Sequence, residues 1–369
     1  MAAGPPVLSA RELNRATLAR QMLLERAAGV GVPAAVERVG GMQAQEPKHP
    51  YIGLWSRVAG FEADALRRAL ARRDVVRGTL MRSTLHLVSA ADYVALRLAL
   101  QPPRSVALRV LGARAEGLDP DGVVIAAREL LAGRALTFDA IRAGLQERFP
   151  DVNDRALGYA ARTLVALVMV PGGADTRWGY PRACEFALAE EFLGGPLAPA
   201  APEVLVERYL GAYGPASAAD AGTWSGVSGL RDVIDAMRDR LAVFADGHGR
   251  ELFDLPDAPR PGADGDAPVR YLPEFDNLVL AYDDRTRIIA DEHRPFVTTK
   301  NLRVKATFLV DGLVAGIWTL TVKRRVATLA LEPFARLPQR VIGALVAEGE
   351  ALARFAEPEA KEHVVVVAS

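Results

Sequence analysis

Residues 40–50 read GGMQAQEPKHP, with two glutamines, Gln43 and Gln45, separated by one alanine and followed by Lys48 and His49. A carboxamide is neutral, offers an acceptor oxygen and two donor hydrogens, and is not basic enough to deprotonate water. A convergent pair could hold a small polar group at one point. Glu46 precedes Pro47 and is biased away from helical angles, so the helical pattern that opens near Pro33 should end at about Gln43 or Ala44. On an extended chain, side chains two apart share a face, which would bring the two amides together. The same residues could instead cap the helix and hold the following loop. Spacing alone leaves both readings open.

A second group of polar residues lies in VVRGTLMRSTLHLVS, residues 75–89. The stretch alternates and is rich in Val, Thr and Leu, so it predicts a β-hairpin with Gly78 in or near the turn. Arg77 and Arg82 are candidates for phosphate contacts, which position DNA without reading sequence; a solvated surface charge is the alternative for each. Lys48 is a further phosphate candidate. His86 alternates with Leu85 and Leu87, so it faces away from them, either as a structural histidine or as part of a cleft wall. More familiar signatures are missing: GVGVPA at 29–34 follows a helical pattern rather than a strand, there is no GxSxG elbow and no Walker A loop, and the five histidines have no metal-ligand spacing.

With 369 residues, half of them apolar, the chain can build more than one core. A single cysteine, Cys184, excludes an internal disulfide framework. No apolar run approaches the roughly 20 residues of a membrane helix, and no secretory leader is visible, so a cytoplasmic protein is expected. The net charge is zero, yet residues 1–115 carry 17 Lys+Arg against 8 Asp+Glu, and the remainder 28 against 37. A basic half is the footprint of phosphate binding, although an arginine-rich coding bias would produce the same count.

The elements that must position these residues follow a recurring layout. Ser9 with Glu12 suggests a capping box for a helix carrying Leu13, Leu18, Met22 and Leu23. Gly29 and Gly31 break it and Pro33 opens the next helix. A helix near 62–72 and the hairpin complete a winged-helix pattern. Three helical stretches and a Gly-rich turn repeat it to about residue 200, and a third copy ends in LAVFADGHGRELFDL. The Pro/Gly/Asp stretch 254–269 reads as a linker. Beyond it NLVLAY, the long run around Asp311-Gly312 and the terminal HVVVV read as strands, interrupted by the helix LPQRVIGALVAEGEALARF. The fold class is therefore α+β: three tandem winged-helix units, 1–115, 116–200 and 201–256, followed by a small β-barrel-like domain, 257–369.

QAQ at 43–45, followed by Arg82-Ser83-Thr84-Leu85-His86 in a hairpin, by YLPEFDNLVLAYDDRTRII and by VDGLVAGIW, resembles the AlkZ-type winged-helix DNA glycosylases, over roughly residues 9–367. The related YcaQ-type branch has Asp where this chain has Gln45, so the resemblance is to the azinomycin-resistance branch. It implies a monofunctional glycosylase without cofactor or metal. Its partner would be double-stranded DNA carrying N7-alkylated purines, and its lesions would include bulky adducts and interstrand crosslinks. The protein would act as a monomer at the nucleoid. Gln43 and Gln45 would be catalytic, and Lys48, His49, Arg77, Arg82, Thr84 and His86 would contact DNA. The chemistry is consistent: an N7-alkylguanine leaves with positive charge already in place, so no general acid is needed. Two carboxamides would suffice to place a water and present their oxygens to the oxocarbenium-like sugar. A non-catalytic winged-helix protein, either a regulator or an adduct-sequestering one, is the competing reading.

Overall fold

The computed structural model describes residues 4–101, 104–173, 176–301 and 303–368. Ser9 caps the helix Ala10–Arg20, and Ser9 and Glu12 exchange the two hydrogen bonds of a capping box. This helix stops before Met22, which adopts a positive φ of 55°. Gly31 and Pro33 open the helix Val32–Arg38. It ends well short of Gln43, because Gly40 and Gly41, with φ of 70° and 82°, turn the chain out of it. Met42–Gln43 then runs as a short strand, antiparallel to Leu87 and His86.

The predicted hairpin forms between Val75–Thr79 and Leu85–Ser89, but Gly78 is not its turn. Gly78 sits within the strand, paired with His86 on one side and Val168 on the other. A Cβ there would lie 2.8 Å from both the Leu167 carbonyl oxygen and the Tyr93 ring. The turn is made instead by Met81–Ser83, where Arg82 and Ser83 take φ of 54° and 57°. Helices Pro120–Leu131, Phe138–Arg148 and Asp154–Leu164 precede the antiparallel strands Leu167–Met169 and Glu185–Leu188. Through Gly78 and Val168 the two hairpins join into one six-stranded sheet, with Met42–Gln43 at one edge and Leu136–Thr137 at the other.

Helices Pro202–Tyr213, Ala218–Ser225 and Leu230–Ala236 lead to the hairpin Ala242–Asp246/Glu251–Asp254. Val7–Leu8 adds to this hairpin as a parallel third strand. One apolar core crosses the unit boundaries: Leu18, Leu80, Val168, Tyr209, Trp224, Leu272 and Ile317 belong to a single buried cluster.

The C-terminal sheet is open rather than barrel-like. Its order is Arg270–Leu272, Thr307–Val310, Leu313–Lys323, Val326–Pro333, Glu362–Val367, and the two outer strands do not meet. Closure would demand more tilt and stagger than a three-residue outer strand can supply, and the helix Gln339–Ala356 packs against this sheet through Leu345, Leu352 and Ala353. NLVLAY is not a strand either. Asp276 caps a single tight turn, Asn277–Val279, by accepting from the Leu278 amide at 3.0 Å.

The stretch after Asp254 has no regular structure up to Arg270, but it is pinned. Arg20 donates to the Pro259 carbonyl at 3.2 Å, Arg11 to Ala263 at 2.8 Å, and Arg15 to Gly265 at 3.1 Å. The Asp311-Gly312 turn docks on the same helix. Asn14 Nδ2 donates to the Gly312 carbonyl at 2.9 Å and Arg11 to the Asp311 carboxylate at 2.6 Å. Arg20 also makes a fully buried bidentate pair with Asp254, at 2.7 and 2.8 Å. No helix among the described residues is long and apolar enough to cross a membrane.

Candidate active site

The segment 43–45 is held from its backbone. The Ala44 amide donates to the Leu85 carbonyl at 2.7 Å. Arg77 donates through Nε to the Ala44 carbonyl at 2.8 Å and through Nη2 to that of Gln45 at 3.0 Å. The Arg77 guanidinium itself lies 5.1 Å from the Tyr180 ring centroid. Gln43 is 6 % exposed and its Oε1 accepts from Arg82 Nη2 at 2.9 Å. That bond assigns which end of the amide is oxygen. Gln45 is half-buried, and among the described residues no hydrogen bond engages its side chain. The pair thus consists of one fixed amide and one open amide on an extended segment.

Arg82 is the hub behind Gln43. Its Nη2 also donates to Asn277 Oδ1 at 2.9 Å, and its Nη1 bonds the Trp224 carbonyl. Burial lowers its pKa to about 10. Asn277 passes the connection on, donating to the Gly41 carbonyl at 3.2 Å. Arg57 and Asp276 form a buried bidentate pair at 2.8 and 2.9 Å. A cavity of about 10 Å³ lies among Gln21, Gln43, His49, Arg57, Asp276 and Asn277. That is close to the smallest space that holds one water, and the lining offers the polar partners a water needs.

His49 opens the helix His49–Arg57 and is 1 % exposed. Neither ring nitrogen has a hydrogen-bond partner among the described residues. Burial, followed by the charges of Lys48, Arg303 and Arg77, lowers its pKa to about 3. His86 is fully enclosed, with Nδ1 3.1 Å from the Thr84 carbonyl and 3.4 Å from the Thr84 hydroxyl. Its pKa also falls to about 3, through burial and then Arg82, against smaller opposing contributions from Thr84 and Asn277. Both imidazoles are neutral at physiological pH.

Of the residues expected to meet DNA, Lys48 is exposed. Arg77 donates to the Ala44 and Gln45 carbonyls, and Arg82 to the Gln43 and Asn277 side chains and the Trp224 carbonyl, so both brace the site. Thr84 donates to the Met81 carbonyl at 3.1 Å, and His86 lies beneath the sheet surface. Sequence reasoning missed Asn277, Asp276, Arg57 and Gln21 as members of the site. The one available signal was the Asp276-Asn277 pair interrupting an otherwise apolar run. Among the described residues no group of His, Cys, Asp or Glu is arranged to hold a metal ion.

A model of the DNA glycosylase AlkZ-like family matches residues 36–355. An interstrand DNA cross-link repair glycosylase of Streptomyces sahachiroi is 28 % identical over 337 residues, covering 84 % of this chain and 88 % of that protein. The solved structure of the Streptomyces sahachiroi DNA glycosylase AlkZ superposes with a TM-score of 0.78 at 23 % identity, covering 98 % of this chain and all of the other.

Proposed function

The chain belongs to the AlkZ-like DNA glycosylase family and is a DNA glycosylase, and we propose that it hydrolyses the N-glycosidic bond of N7-alkylated guanine to leave an abasic site. Bulky adducts are its substrates, and interstrand crosslinks are included, as the name of the Streptomyces relative suggests for that protein. The observation that carries this reading is the chemistry of the site: two neutral carboxamides, one of them beside a water-sized polar cavity. Such a site has no strong acid or base to spend, so it suits a leaving group that is already charged.

The two glutamines divide the work. Arg82 draws on the Gln43 oxygen, so Gln43 serves mainly to place the water. The open Gln45 oxygen is the better negative dipole for the developing oxocarbenium ion. Lys48 is the phosphate contact nearest this point. We read residues 1–115, 116–200 and 201–256 as winged-helix units that grip the duplex and 257–369 as the unit that closes one side, in a protein that acts as a monomer in the cytoplasm.

The test is duplex DNA carrying N7-methylguanine or a larger N7 adduct, followed by alkali. Lesion-dependent breaks that require the alkali step support a monofunctional glycosylase. No breaks across several adduct sizes overturns the substrate assignment, and unchanged rates in Gln43→Ala and Gln45→Ala overturn the site.

A further inference from the structure

Beside the glutamine site lies a second cavity of about 260 Å³, lined among others by Lys48, His49, Trp178, Trp318, Thr319 and Leu320. It shares His49 and Pro273 with the small cavity at Gln43. Its aromatic walls are braced. Trp318 Nε1 donates to the Leu272 carbonyl at 2.9 Å and to that of Thr307 at 3.1 Å, and Trp178 meets Tyr51 edge-on at 5.0 Å between centroids.

His49 is the feature that the glutamine mechanism leaves unexplained. A buried polar atom without a partner is costly and rare, and this ring has two. A neutral imidazole offers one donor and one acceptor, so it can meet both kinds of group on a heterocycle. The nearby carboxylates are already engaged, Glu274 with Arg303 at 2.7 Å and Glu357 with Arg177 at 3.0 Å. Both carboxylates at the cavity are therefore paired, which leaves the His49 ring as a polar group there without a hydrogen-bond partner among the described residues. The cavity volume lies just below the ~300–1,000 Å³ usual for small-molecule sites, which suits one flat bicyclic group with a substituent rather than a whole nucleotide.

We propose that this cavity seats the alkylated purine base, its flat face on the tryptophan-lined wall and its polar edge on His49. Thr319 and Leu320 then set how large an alkyl group is accepted. The proposal rests on the N7-alkylguanine reading above. It assigns His49 to recognition of the base and not to phosphate.

The experiment titrates free 7-methylguanine and 7-benzylguanine into the full chain and follows tryptophan fluorescence, since Trp178 and Trp318 line the cavity. Saturable quenching is expected. His49→Phe keeps the ring's bulk and should weaken binding about three- to tenfold, the worth of one neutral hydrogen bond. Thr319→Trp, at an exposed position of the strand, should abolish 7-benzylguanine binding and excision of the bulky adduct while N7-methylguanine is still excised. Absence of saturable quenching at millimolar base, or both variants binding both bases like the wild type, overturns the proposal. Base binding without excision of any lesion would retain the cavity assignment and remove the proposed reaction; excision without base binding would do the reverse.

Discussion

Two buried neutral histidines should make this protein lose stability in mild acid. His49 and His86 are lowered to about 3 in the folded chain, against ~6.5 for an unperturbed histidine. Between these values the unfolded chain binds more protons, so acidification favours unfolding. The stabilising contribution is complete above about pH 6.5 and is lost progressively as pH falls toward 3. Each group costs about 1.4 kcal/mol per pH unit in that window, hence roughly 2.7 kcal/mol at pH 4.5 and about 5 kcal/mol for the pair. A typical total stability is only ~5–15 kcal/mol. Asp92, whose carboxyl is raised by burial, works in the opposite sense, so the comparison that isolates the histidines is between variants. Urea unfolding followed by tryptophan fluorescence at about pH 6.5, 5.5 and 4.5 gives the slope of stability against pH. His86→Gln is expected to cut that slope by about 1.4 kcal/mol per unit, whatever it does to stability at neutral pH. Equal slopes for wild type, His86→Gln and His49→Gln would refute the account of both sites.

Three further outcomes follow from the geometry. Arg82→Lys loses the fork that fixes Gln43 and Asn277, so kcat on lesion DNA should fall on the order of 10- to 100-fold with little change in DNA affinity. The double variant with Gln43→Ala should then be scarcely slower than Gln43→Ala alone; additive losses in single-turnover assays would show that Arg82 acts elsewhere. Asp254→Ala leaves Arg20 buried without its counter-charge and should cost about 3–5 kcal/mol, read as a lowered urea midpoint at neutral pH. Gly78→Val places a side chain where the Leu167 carbonyl and the Tyr93 ring already lie, and should destabilise by about 1–3 kcal/mol; a wild-type melting temperature would contradict the close strand approach.

The elements that depend on local chemistry are legible in the sequence. The capping box at Ser9, Pro33 at a helix start and the Asp311-Gly312 turn are each decided within a few residues. What a distant partner decides is not. Gly78 reads as a turn glycine because no local pattern announces Val168 beside it. NLVLAY reads as a strand because an apolar run has no period to separate a strand from a buried turn. The paired glutamines stand out by type and spacing, but their support comes from Arg82, 39 positions beyond Gln43, from Asn277, a further 195 positions on, and from Arg77, 33 positions beyond Ala44. The same arginines read as DNA contacts in a basic hairpin, and only the fold reveals the carbonyl and amide oxygens that they hold.

The docking of the Asp311-Gly312 turn on the first helix has a consequence for biosynthesis. Arg11 and Asp311 are separated by 300 positions, and Asn14 waits for Gly312 over nearly the same distance. At about 5–20 residues per second a ribosome needs roughly 15–60 s to make the second partner after the first has emerged. Throughout that interval the helix Ala10–Arg20 carries arginines and an asparagine whose acceptors do not yet exist. The helix Ala10–Arg20 is thus made long before it can be completed, and its final packing waits until the Asp311-Gly312 turn has emerged.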